Sequence, residues 1–382
     1  MKPQLEELSI EVTNECPLAC IHCSSGSSPK RLPDELSVDR QMELIQEARD
    51  MGATVLSLSG GEPLVYPHTM RLIEEANRLD YKRILLYTTG HTHSTGLVFE
   101  CDWVSSMYPE VTWIFSLHSP DAVVNDNIMG RDGVTVHILE SIRYLTQCGA
   151  NVEVHMVPMK PNFEHIDHMR HLCDVLKVSR LSLLRFVPQT RGYANRDELL
   201  MSKAEFAEMQ AIIHFQSQCT TSDVELRLGC PIDFRHTLGL TPRKVKPCHA
   251  GDDLILVRPN GDAHPCAAWK SLPSDINVKN ASLAEVFYES KVFQAIRRFK
   301  QDGGWAEIES CNQCKYALSC MGGCPAQRLH AYGKTLDALY TAPGDPMCHM
   351  VADRLSPMPM EEMSVYEYKK LIHGDWSDAS EQ

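Results

Sequence analysis

Three cysteines lie within eight positions near the start of the chain, in the stretch CPLACIHC. Cys16, Cys20 and Cys23 follow the β-branched run LSIEVT, so we expect them at the carboxyl end of a strand, where α/β folds bind ligands. Cysteine thiolates hold iron–sulfur clusters, and three of them would leave one iron open to another ligand. A tetrahedral zinc site completed by His22 or by a distant residue is the alternative.

The next predicted strand ends in the stretch SLSGGEPL, where Gly60 and Gly61 precede Glu62 and Pro63. Glycine has no Cβ, so the backbone there can approach a ligand closely and offer its N–H and C=O groups to a polar group such as an amino acid. By itself this stretch could form a simple turn. Because it follows the three-cysteine loop by one strand–helix unit, it indicates a second part of the same ligand site.

Seven more cysteines, between residues 248 and 348, also have regular spacing. Cys248 and Cys266 flank a predicted hairpin whose Asn260-Gly261 pair favours a tight turn. A structural zinc ribbon is one interpretation, since cysteine pairs separated by two residues are common in such sites. Seven cysteines fit it poorly, because one zinc ion needs four ligands and two need eight. The other five are Cys311, Cys314, Cys320, Cys324 and Cys348.

These groups must be positioned by elements that alternate along the first half of the chain. Short strand-like runs separated by amphipathic helical segments predict βαβ units and a parallel sheet. Six units are too few for a complete eightfold barrel, so we expect an α/β fold with an open, partial (β/α)6 barrel of the TIM type. The predicted strands are 8–13, 54–60, 83–90, 111–118, 152–159 and 180–187, and the predicted helices are 37–51, 68–79, 134–147 and 164–177.

The composition excludes several classes of function. The chain has 382 residues and a formal net charge of −13 without a block of Lys or Arg, which disfavours nucleic acid as a partner. It has neither a signal peptide nor a long apolar window, so we expect a cytoplasmic protein that does not span a membrane. Fifteen cysteines in that compartment indicate metal or catalytic thiols. Cys101, Cys148, Cys173 and Cys219 lack metal-site spacing, and we expect them to be small core residues.

The three-cysteine loop followed by Gly-Gly-Glu-Pro resembles the radical S-adenosylmethionine (radical SAM) superfamily. The resemblance implies a [4Fe–4S] cluster on Cys16, Cys20 and Cys23, with S-adenosyl-L-methionine at the open iron. Reductive cleavage of that cofactor yields a 5′-deoxyadenosyl radical, which removes a hydrogen atom from the substrate. The cofactor contacts that it implies are His22 near the adenine, Gly60, Gly61 and Glu62 along the methionine, Ser116 at the ribose, and Arg131 as the carboxylate clamp, since Met129 stands where the family often has arginine.

The second cysteine group resembles the SPASM extension of that superfamily, a small cysteine-rich domain that carries auxiliary iron–sulfur clusters. The resemblance points to an eighth ligand upstream, Cys230, and so to three [4Fe–4S] clusters in all. Ligation by four cysteines favours electron transfer as the role of the auxiliary pair. The implied ligands are Cys230, Cys248, Cys266 and Cys324 for auxiliary cluster I, and Cys311, Cys314, Cys320 and Cys348 for auxiliary cluster II. We predict a barrel domain at 1–225, the SPASM domain at 226–352 and a helix with an acidic tail at 353–382.

The resemblance leads us to expect an iron–sulfur oxidoreductase that oxidatively modifies a ribosomally made peptide, for example by a cross-link. Only fifteen residues precede Cys16, so we expect a peptide to need a separate leader-binding protein or to dock at the barrel mouth. A flavodoxin- or ferredoxin-type protein would donate electrons. Ala267 follows Cys266 where sulfatase-maturing members have an aspartate, which argues against that activity.

Two other classes of function stay open. One is a small-molecule radical SAM dehydrogenase or epimerase that acts on an aminocyclitol, a sugar or a tetrapyrrole. The other is a non-enzymatic iron–sulfur carrier or zinc-ribbon binding module. The Gly-Gly-Glu-Pro strand end argues against the non-enzymatic class, because such a module has no need of a cofactor cradle.

Overall fold

The computed structural model describes residues 3–92, 110–229, 248–312, 314 and 320–348. Within these residues the strands join in a single sheet of nine strands. All six predicted strands are confirmed, with shifted ends. The strands are β1 (Glu7–Glu11), β2 (Val55–Ser59), β3 (Arg83–Thr88), β4 (Val111–Ser116), β5 (Asn151–Met156), β6 (Arg180–Leu183), β7 (Glu225–Leu228), β8 (Leu254–Val257) and β9 (Ala263–His264).

The strand order is β7-β6-β5-β4-β3-β2-β1-β8-β9, so the first seven strands lie side by side in chain order. Every neighbouring pair from β7 across to β8 is parallel, and only β8 with β9 is antiparallel. Parallel neighbours in chain order are what repeated strand–helix units produce. The carboxyl ends of β1 to β6 therefore lie along one edge, as expected for an open partial barrel.

Helices connect the strands where the sequence pattern predicts them. Ser37 caps the first helix, because its hydroxyl accepts a hydrogen bond from the Arg40 amide (3.2 Å). In the barrel half the helices are α1 (Val38–Asp50), α2 (Thr69–Arg78), α3 (Ala122–Met129), α4 (Val134–Gln147), α5 (Ile166–Val175), α6 (Thr190–Ala194), α7 (Arg196–Leu199) and α8 (Lys203–Gln218). They are followed by α9 (Leu283–Glu289), α10 (Lys291–Gln301), α11 (Pro325–Tyr332) and α12 (Ala338–Thr341).

The two faces of the sheet have different chemistry. Residues such as Leu8, Ile10 and Leu58 are fully buried in the main core beneath the helices. Because side chains alternate along a strand, their neighbours point to the other side, into the barrel. That inner face is mixed: the Ser57 hydroxyl donates to a Glu7 carboxylate oxygen (2.5 Å), whereas Val55, Leu85 and Ile114 form a small apolar cluster on the same side. The barrel interior therefore offers polar groups beside an apolar patch.

The chain beyond residue 225 extends the sheet at both ends, because β7 pairs with β6 and β8 pairs with β1. β8 and β9 form the predicted hairpin, with Gly261 at φ +87° in its turn. A second apolar cluster around Trp269 and Phe299 packs against Cys248 and Cys266. The domain boundary at residue 225 stays a prediction, and the segment 353–382 lies outside the described residues.

The cysteines without metal-site spacing are only partly explained by the core. Cys173 is buried in α5 as expected. The expectation is wrong for Cys148, which is exposed at the end of α4, and for Cys219, which is partly exposed at the end of α8. Helix ends face solvent more than helix centres do, so the lack of metal-site spacing was not enough to predict that these two cysteines are buried. Cys101 lies outside the described residues. Among the helices described, none is long and apolar enough to cross a membrane.

Candidate active site and metal centres

Cys16, Cys20 and Cys23 lie in the loop that follows β1. The loop closes on itself, since the Cys16 amide donates to the Ser28 carbonyl oxygen (2.8 Å) and the Cys23 amide to that of Cys20 (3.2 Å). Burial, followed by the charges of Glu62 and Cys23, raises the pKa of Cys16 to about 12. Burial, then Cys23 and Cys16, also raises the pKa of Cys20. The three thiols therefore lie near one another at the carboxyl end of the sheet.

The Gly60-Gly61 pair lies against the backbone that leads into the cysteine loop. A Cβ on Gly61 would lie 1.9 Å from the Glu15 carbonyl oxygen, and one on Gly60 would lie 2.5 Å from that of Thr13. The Gly61 amide donates to the Thr13 carbonyl oxygen (2.7 Å), and the Glu62 amide to that of Glu15 (2.8 Å). These N–H groups bind the chain itself, not a ligand as the sequence suggested. The glycines position the cysteine loop, and their contact with a methionine group stays a prediction.

Glu62 fixes the end of β2 to the end of β3. Its buried carboxylate accepts hydrogen bonds from the Thr88 hydroxyl (2.5 Å), the Thr89 hydroxyl (2.7 Å), the Thr89 amide (2.8 Å) and the Leu64 amide (3.1 Å). Burial raises the pKa of Glu62, and these donors act in the opposite direction. Both carboxylate oxygens are thus used inside the protein. The signal for these partners in the sequence is the Thr-Thr-Gly that ends the third strand.

His22 packs edge-to-face against His118, with ring centroids 4.3 Å apart. Burial, followed by the charge of Arg191, lowers the pKa of His22 to about 4. Burial also holds the pKa of His118 well below its usual value. Both rings are therefore neutral at pH 7, and they form an aromatic surface beside the third cysteine. Such a surface suits an adenine, although that contact stays a prediction.

Ser116 ends β4 in a polar row that crosses three strands. The register places it beside His155 on β5, and His155 beside Ser182 on β6. The alternate residues Phe115 and Val154 belong to the main core, so the row faces the barrel interior. Burial, followed by the charge of Arg227, lowers the pKa of His155 to about 3. The row forms a polar, uncharged part of the barrel mouth, and the ribose contact of Ser116 stays a prediction.

Arg131 lies at the outer side of the cysteine loop. Its side chain is exposed, and its Nη1 donates to the Pro17 carbonyl oxygen (3.3 Å). Met129, which stands where the family often has arginine, is buried with its sulfur 3.8 Å from the Cys20 Sγ. The structure therefore brings Arg131 to the loop backbone, and its role as a carboxylate clamp stays a prediction.

The segment around α6 has no metal-site motif and was not predicted as part of the site, but it supports the cysteine loop from the other side. The Thr190 hydroxyl donates to the Cys23 carbonyl oxygen (2.6 Å), and the Asn195 side chain donates to that of Ile21 (2.9 Å). The Arg191 guanidinium donates to the Ser27 carbonyl oxygen (3.1 Å). Arg191 thus places a positive charge near the thiols. Polar residues directly after the sixth strand were the available signal.

Glu11 connects the cysteine loop to the second half of the chain. Its carboxylate lies 2.5 Å from Lys270 Nζ and 3.3 Å from Arg258 Nε, and it accepts a hydrogen bond from the Ser25 hydroxyl (2.6 Å). Burial opposes ionisation, but the charges of Lys270 and Arg258 outweigh it and lower the pKa of Glu11 to about 2. This network fixes the region after Cys266 against the region after Cys23.

The described cysteines of the second half lie in two groups, and their assignment to two auxiliary clusters stays a prediction. Burial, then Cys248 and Cys324, raises the pKa of Cys266, so these three thiols are neighbours. Cys230, the fourth ligand expected for this set, lies outside the described residues. In the other set, burial raises the pKa of Cys320 to about 12, with Asp345, Cys348 and Cys311 adding to the shift. The Cys314 amide donates to the Cys311 carbonyl oxygen (3.0 Å), so the two residues share one turn.

The cysteine sets have donors that suit iron–sulfur clusters. Among residues 3–92, 110–229, 248–312, 314 and 320–348, no three Cys, His, Asp or Glu side chains converge as a site for one metal ion. In an iron–sulfur cluster each thiolate binds a different iron, so the cysteines are spread more widely than the ligands of one ion. Buried thiols with neighbouring thiols are disfavoured as anions until a cationic centre is present. The cysteine sets therefore fit the implied clusters.

Two family models match the sequence. The radical SAM superfamily matches residues 10–173, which include the three-cysteine loop and the Gly-Gly-Glu-Pro stretch. The SPASM iron–sulfur cluster-binding domain matches residues 248–315. The second match includes Cys248, Cys266, Cys311 and Cys314, whereas Cys320, Cys324 and Cys348 lie beyond its end.

Individual relatives extend over nearly the whole chain. A protein named PqqA peptide cyclase from Streptomyces rochei is 29% identical over 353 residues, covering 90% of this chain and 89% of its own length. SuiB from Streptococcus suis bound to S-adenosylmethionine aligns with a TM-score of 0.72 at 19% identity, over 91% of this chain and 78% of SuiB. SuiB bound to precursor peptide SuiA aligns with a TM-score of 0.71 at 18% identity, over 91% of this chain and 76% of SuiB. The protein anSMEcpe with bound AdoMet aligns with a TM-score of 0.64 at 15% identity, over 85% of this chain and 90% of anSMEcpe.

Proposed function

This chain belongs to the radical SAM superfamily and has a SPASM domain, and from that premise we propose that it oxidatively modifies a ribosomally made peptide. The observation that carries the radical chemistry is the cysteine loop fixed against the Gly60-Gly61 pair at the mouth of the barrel. Polar side chains at that mouth, such as Ser116 and His155, can pair with the amide groups of a peptide segment.

The relatives support a peptide as the substrate class. The Streptomyces rochei relative, which covers most of both chains, is named as a peptide cyclase. The fold also resembles that of SuiB, which is described in complex with a precursor peptide. At 18% identity the SuiB likeness supports the fold, so the peptide assignment depends mainly on the curated relative. Formation of a cross-link is the kind of modification that we propose.

The chain's own residues have positioning roles in this proposal. When bound, S-adenosyl-L-methionine on a [4Fe–4S] cluster supplies a 5′-deoxyadenosyl radical. Cys16, Cys20 and Cys23 would hold that cluster, and the neutral rings of His22 and His118 would provide an apolar wall for the nucleoside. Because the rings are neutral, they can stack against the nucleoside without burying a charge.

The proposed outcome is a two-electron oxidation of the peptide. The peptide loses one hydrogen atom, which leaves as part of 5′-deoxyadenosine. As the new bond forms, it loses a proton and one electron, and the electron passes to the auxiliary clusters held by the two cysteine sets. A flavodoxin- or ferredoxin-type protein would supply the electron that starts the reaction. S-adenosyl-L-methionine takes up one electron and the abstracted hydrogen atom, and the electron held by the auxiliary clusters would return to the flavodoxin- or ferredoxin-type protein, so that S-adenosyl-L-methionine is the net two-electron oxidant.

The source of the abstracted hydrogen tests the proposal. The source organism is grown in deuterated medium, and its extract is separated into polypeptide and small-molecule fractions. Each fraction is incubated anaerobically with reconstituted enzyme, reductant and unlabelled S-adenosyl-L-methionine. We expect deuterium in the 5′-deoxyadenosine formed with the polypeptide fraction.

A matched control and a contrary outcome complete the experiment. The Cys16→Ala enzyme should form no 5′-deoxyadenosine with either fraction, because it lacks one of the three cluster ligands. Deuterium acquired only from the small-molecule fraction would contradict the peptide assignment and favour a small-molecule dehydrogenase.

A further inference from the structure

A buried ion pair lies between the two cysteine sets of the second half. Arg185, directly after β6, has its Nη2 2.5 Å from the Asp345 Oδ1. The two side chains are 4% and 1% exposed, so little solvent screens their charges. Arg185 also donates to the side-chain oxygen of the buried Gln327. This pair therefore connects the end of a barrel strand to the segment that precedes Cys348.

Asp345 contacts the backbone of cysteines from both sets. Its Oδ2 accepts a hydrogen bond from the Cys324 amide (2.8 Å), and its carbonyl oxygen accepts one from the Cys348 amide (2.9 Å). Cys324 was assigned to auxiliary cluster I and Cys348 to auxiliary cluster II. The fit is tight, because a Cβ on Gly323 would lie 2.3 Å from the Asp345 carboxylate. The carboxylate is thus held in one position beside both sets.

We propose that the Arg185–Asp345 pair sets the reduction potentials of both auxiliary clusters, a role that rests on the clusters of the proposed function. Reduction adds one negative charge to a cluster, so a nearby cation stabilises the reduced form and a nearby anion destabilises it. Because the two opposite charges are buried side by side, their effects on the cluster potentials nearly cancel in the parent protein. Arg328, whose guanidinium donates to the Pro343, Leu339 and Ala342 carbonyl oxygens, adds a fixed positive charge that no variant changes.

Charge-removing variants test this role by the sign of their effects. Asp345→Asn, Arg185→Gln and the double variant are reconstituted as full chains. Their clusters are titrated under EPR detection, and the cluster whose signal changes on adding S-adenosyl-L-methionine is set aside. Asp345→Asn should raise the reduction potentials of both auxiliary clusters, and Arg185→Gln should lower both. The double variant should have potentials close to those of the parent. Glu153→Gln, which removes the acid of the distant Arg180–Glu153 pair (2.6 Å), should shift neither.

Several outcomes would overturn the proposal. Shifts of the same sign in both single variants would indicate a structural role, and unchanged potentials with iron retained would exclude an electrostatic one. Where a single variant loses iron, Gln327→Glu adds a negative charge beside Arg185 and should lower both potentials; no shift there would refute the role. These measurements need no peptide. A parent enzyme without auxiliary signals would instead contradict the cluster assignments of the proposed function.

Discussion

The first cysteine loop and the second cysteine region hold their thiols by different physical means. Cys16, Cys20 and Cys23 come from eight consecutive residues, and the backbone at Gly60 and Gly61 supports them through hydrogen bonds and close packing. The second region collects thiols from separate segments, and buried charges such as those of Arg185 and Asp345 join those segments. One site therefore depends on steric fit, and the other depends on electrostatic balance.

This difference determines which substitutions each site tolerates. A loop held by backbone contacts cannot accommodate an added atom, because backbone moves only with its whole strand. A site held by a buried ion pair can keep its shape in an isosteric variant, while its electrostatics change. Variants that alter only volume or only charge can therefore separate the two regions.

The largest effect is expected for Gly61→Ala in the first region. The added methyl would overlap the Glu15 carbonyl oxygen, since its Cβ position lies 1.9 Å away. The cysteine loop must then move, at a cost of about 3 kcal/mol or more. We expect about four irons per chain to be lost, together with S-adenosyl-L-methionine cleavage, while the auxiliary signals remain. Iron analysis and EPR of the anaerobically reconstituted variant provide the measurement.

Gly133→Ala is the matched control for this substitution. Gly133 has a positive φ of +74°, but no atom lies within 4 Å of its Cβ position. The backbone strain should cost about 1 kcal/mol and leave the iron content unchanged. Full iron content in Gly61→Ala would show that the loop is not held by this contact, and the contrast between the regions would fail.

An intermediate effect is expected for Glu11→Gln, which removes the charge shared by the two regions. The pKa of Glu11 is lowered to about 2, against about 4.3 when unfolded, so its ionisation contributes about 3 kcal/mol to stability. Because the folded pKa lies below the unfolded one, this contribution is complete above about pH 5 and is lost as the pH falls towards 2. Anaerobic urea unfolding of the parent and of Glu11→Gln should give a difference in the free energy of unfolding that stays constant between pH 6 and 8.

Glu75→Gln is the control for Glu11→Gln, because Glu75 pairs with the exposed Arg78 on the surface of α2. It should change the urea midpoint little, as surface pairs contribute weakly. A difference for Glu11→Gln that grows or shrinks within pH 6 to 8 would contradict the assigned direction of the pKa shift. Equal midpoints for the two variants would show that Glu11 does not join the regions.

The fold was largely predictable, because its signals are local. Alternating runs such as LSIEVT and amphipathic segments such as 37–51 each identify one element, and right-handed strand–helix units then determine the strand order. The pairing of β8 with β1 was not predicted, since nothing in LILV specifies a partner more than two hundred residues earlier. Pairings over such sequence separations depend on the whole chain path.

The candidate site also has features that the sequence predicts and features that it does not. Spacing predicted Cys16, Cys20 and Cys23 as ligands, whereas the hydrogen bond from the Gly61 amide to the Thr13 carbonyl oxygen has no signal in the sequence. Arg185 and Asp345 could not be paired from the sequence, because they lie 160 positions apart and neither has a distinctive neighbour. Thr88 and Thr89 were visible at a strand end, yet their carboxylate partner becomes evident only when β2 and β3 are adjacent.

The smallest effect is expected for Arg131→Gln at the edge of the first region. The resemblance makes Arg131 a carboxylate clamp, whereas the structure leaves it exposed with one long contact to Pro17 (3.3 Å). Solvent screening limits an exposed charge to about 1 kcal/mol, so affinity for S-adenosyl-L-methionine should fall by about fivefold at most. Arg191→Gln, which removes a charge fixed at the Ser27 carbonyl beside the thiols, should weaken binding more. Equilibrium binding to the reconstituted variants measures both. A loss of about a hundredfold or more in Arg131→Gln alone would make Arg131 the clamp after all, and charge would then matter in the first region as it does in the second.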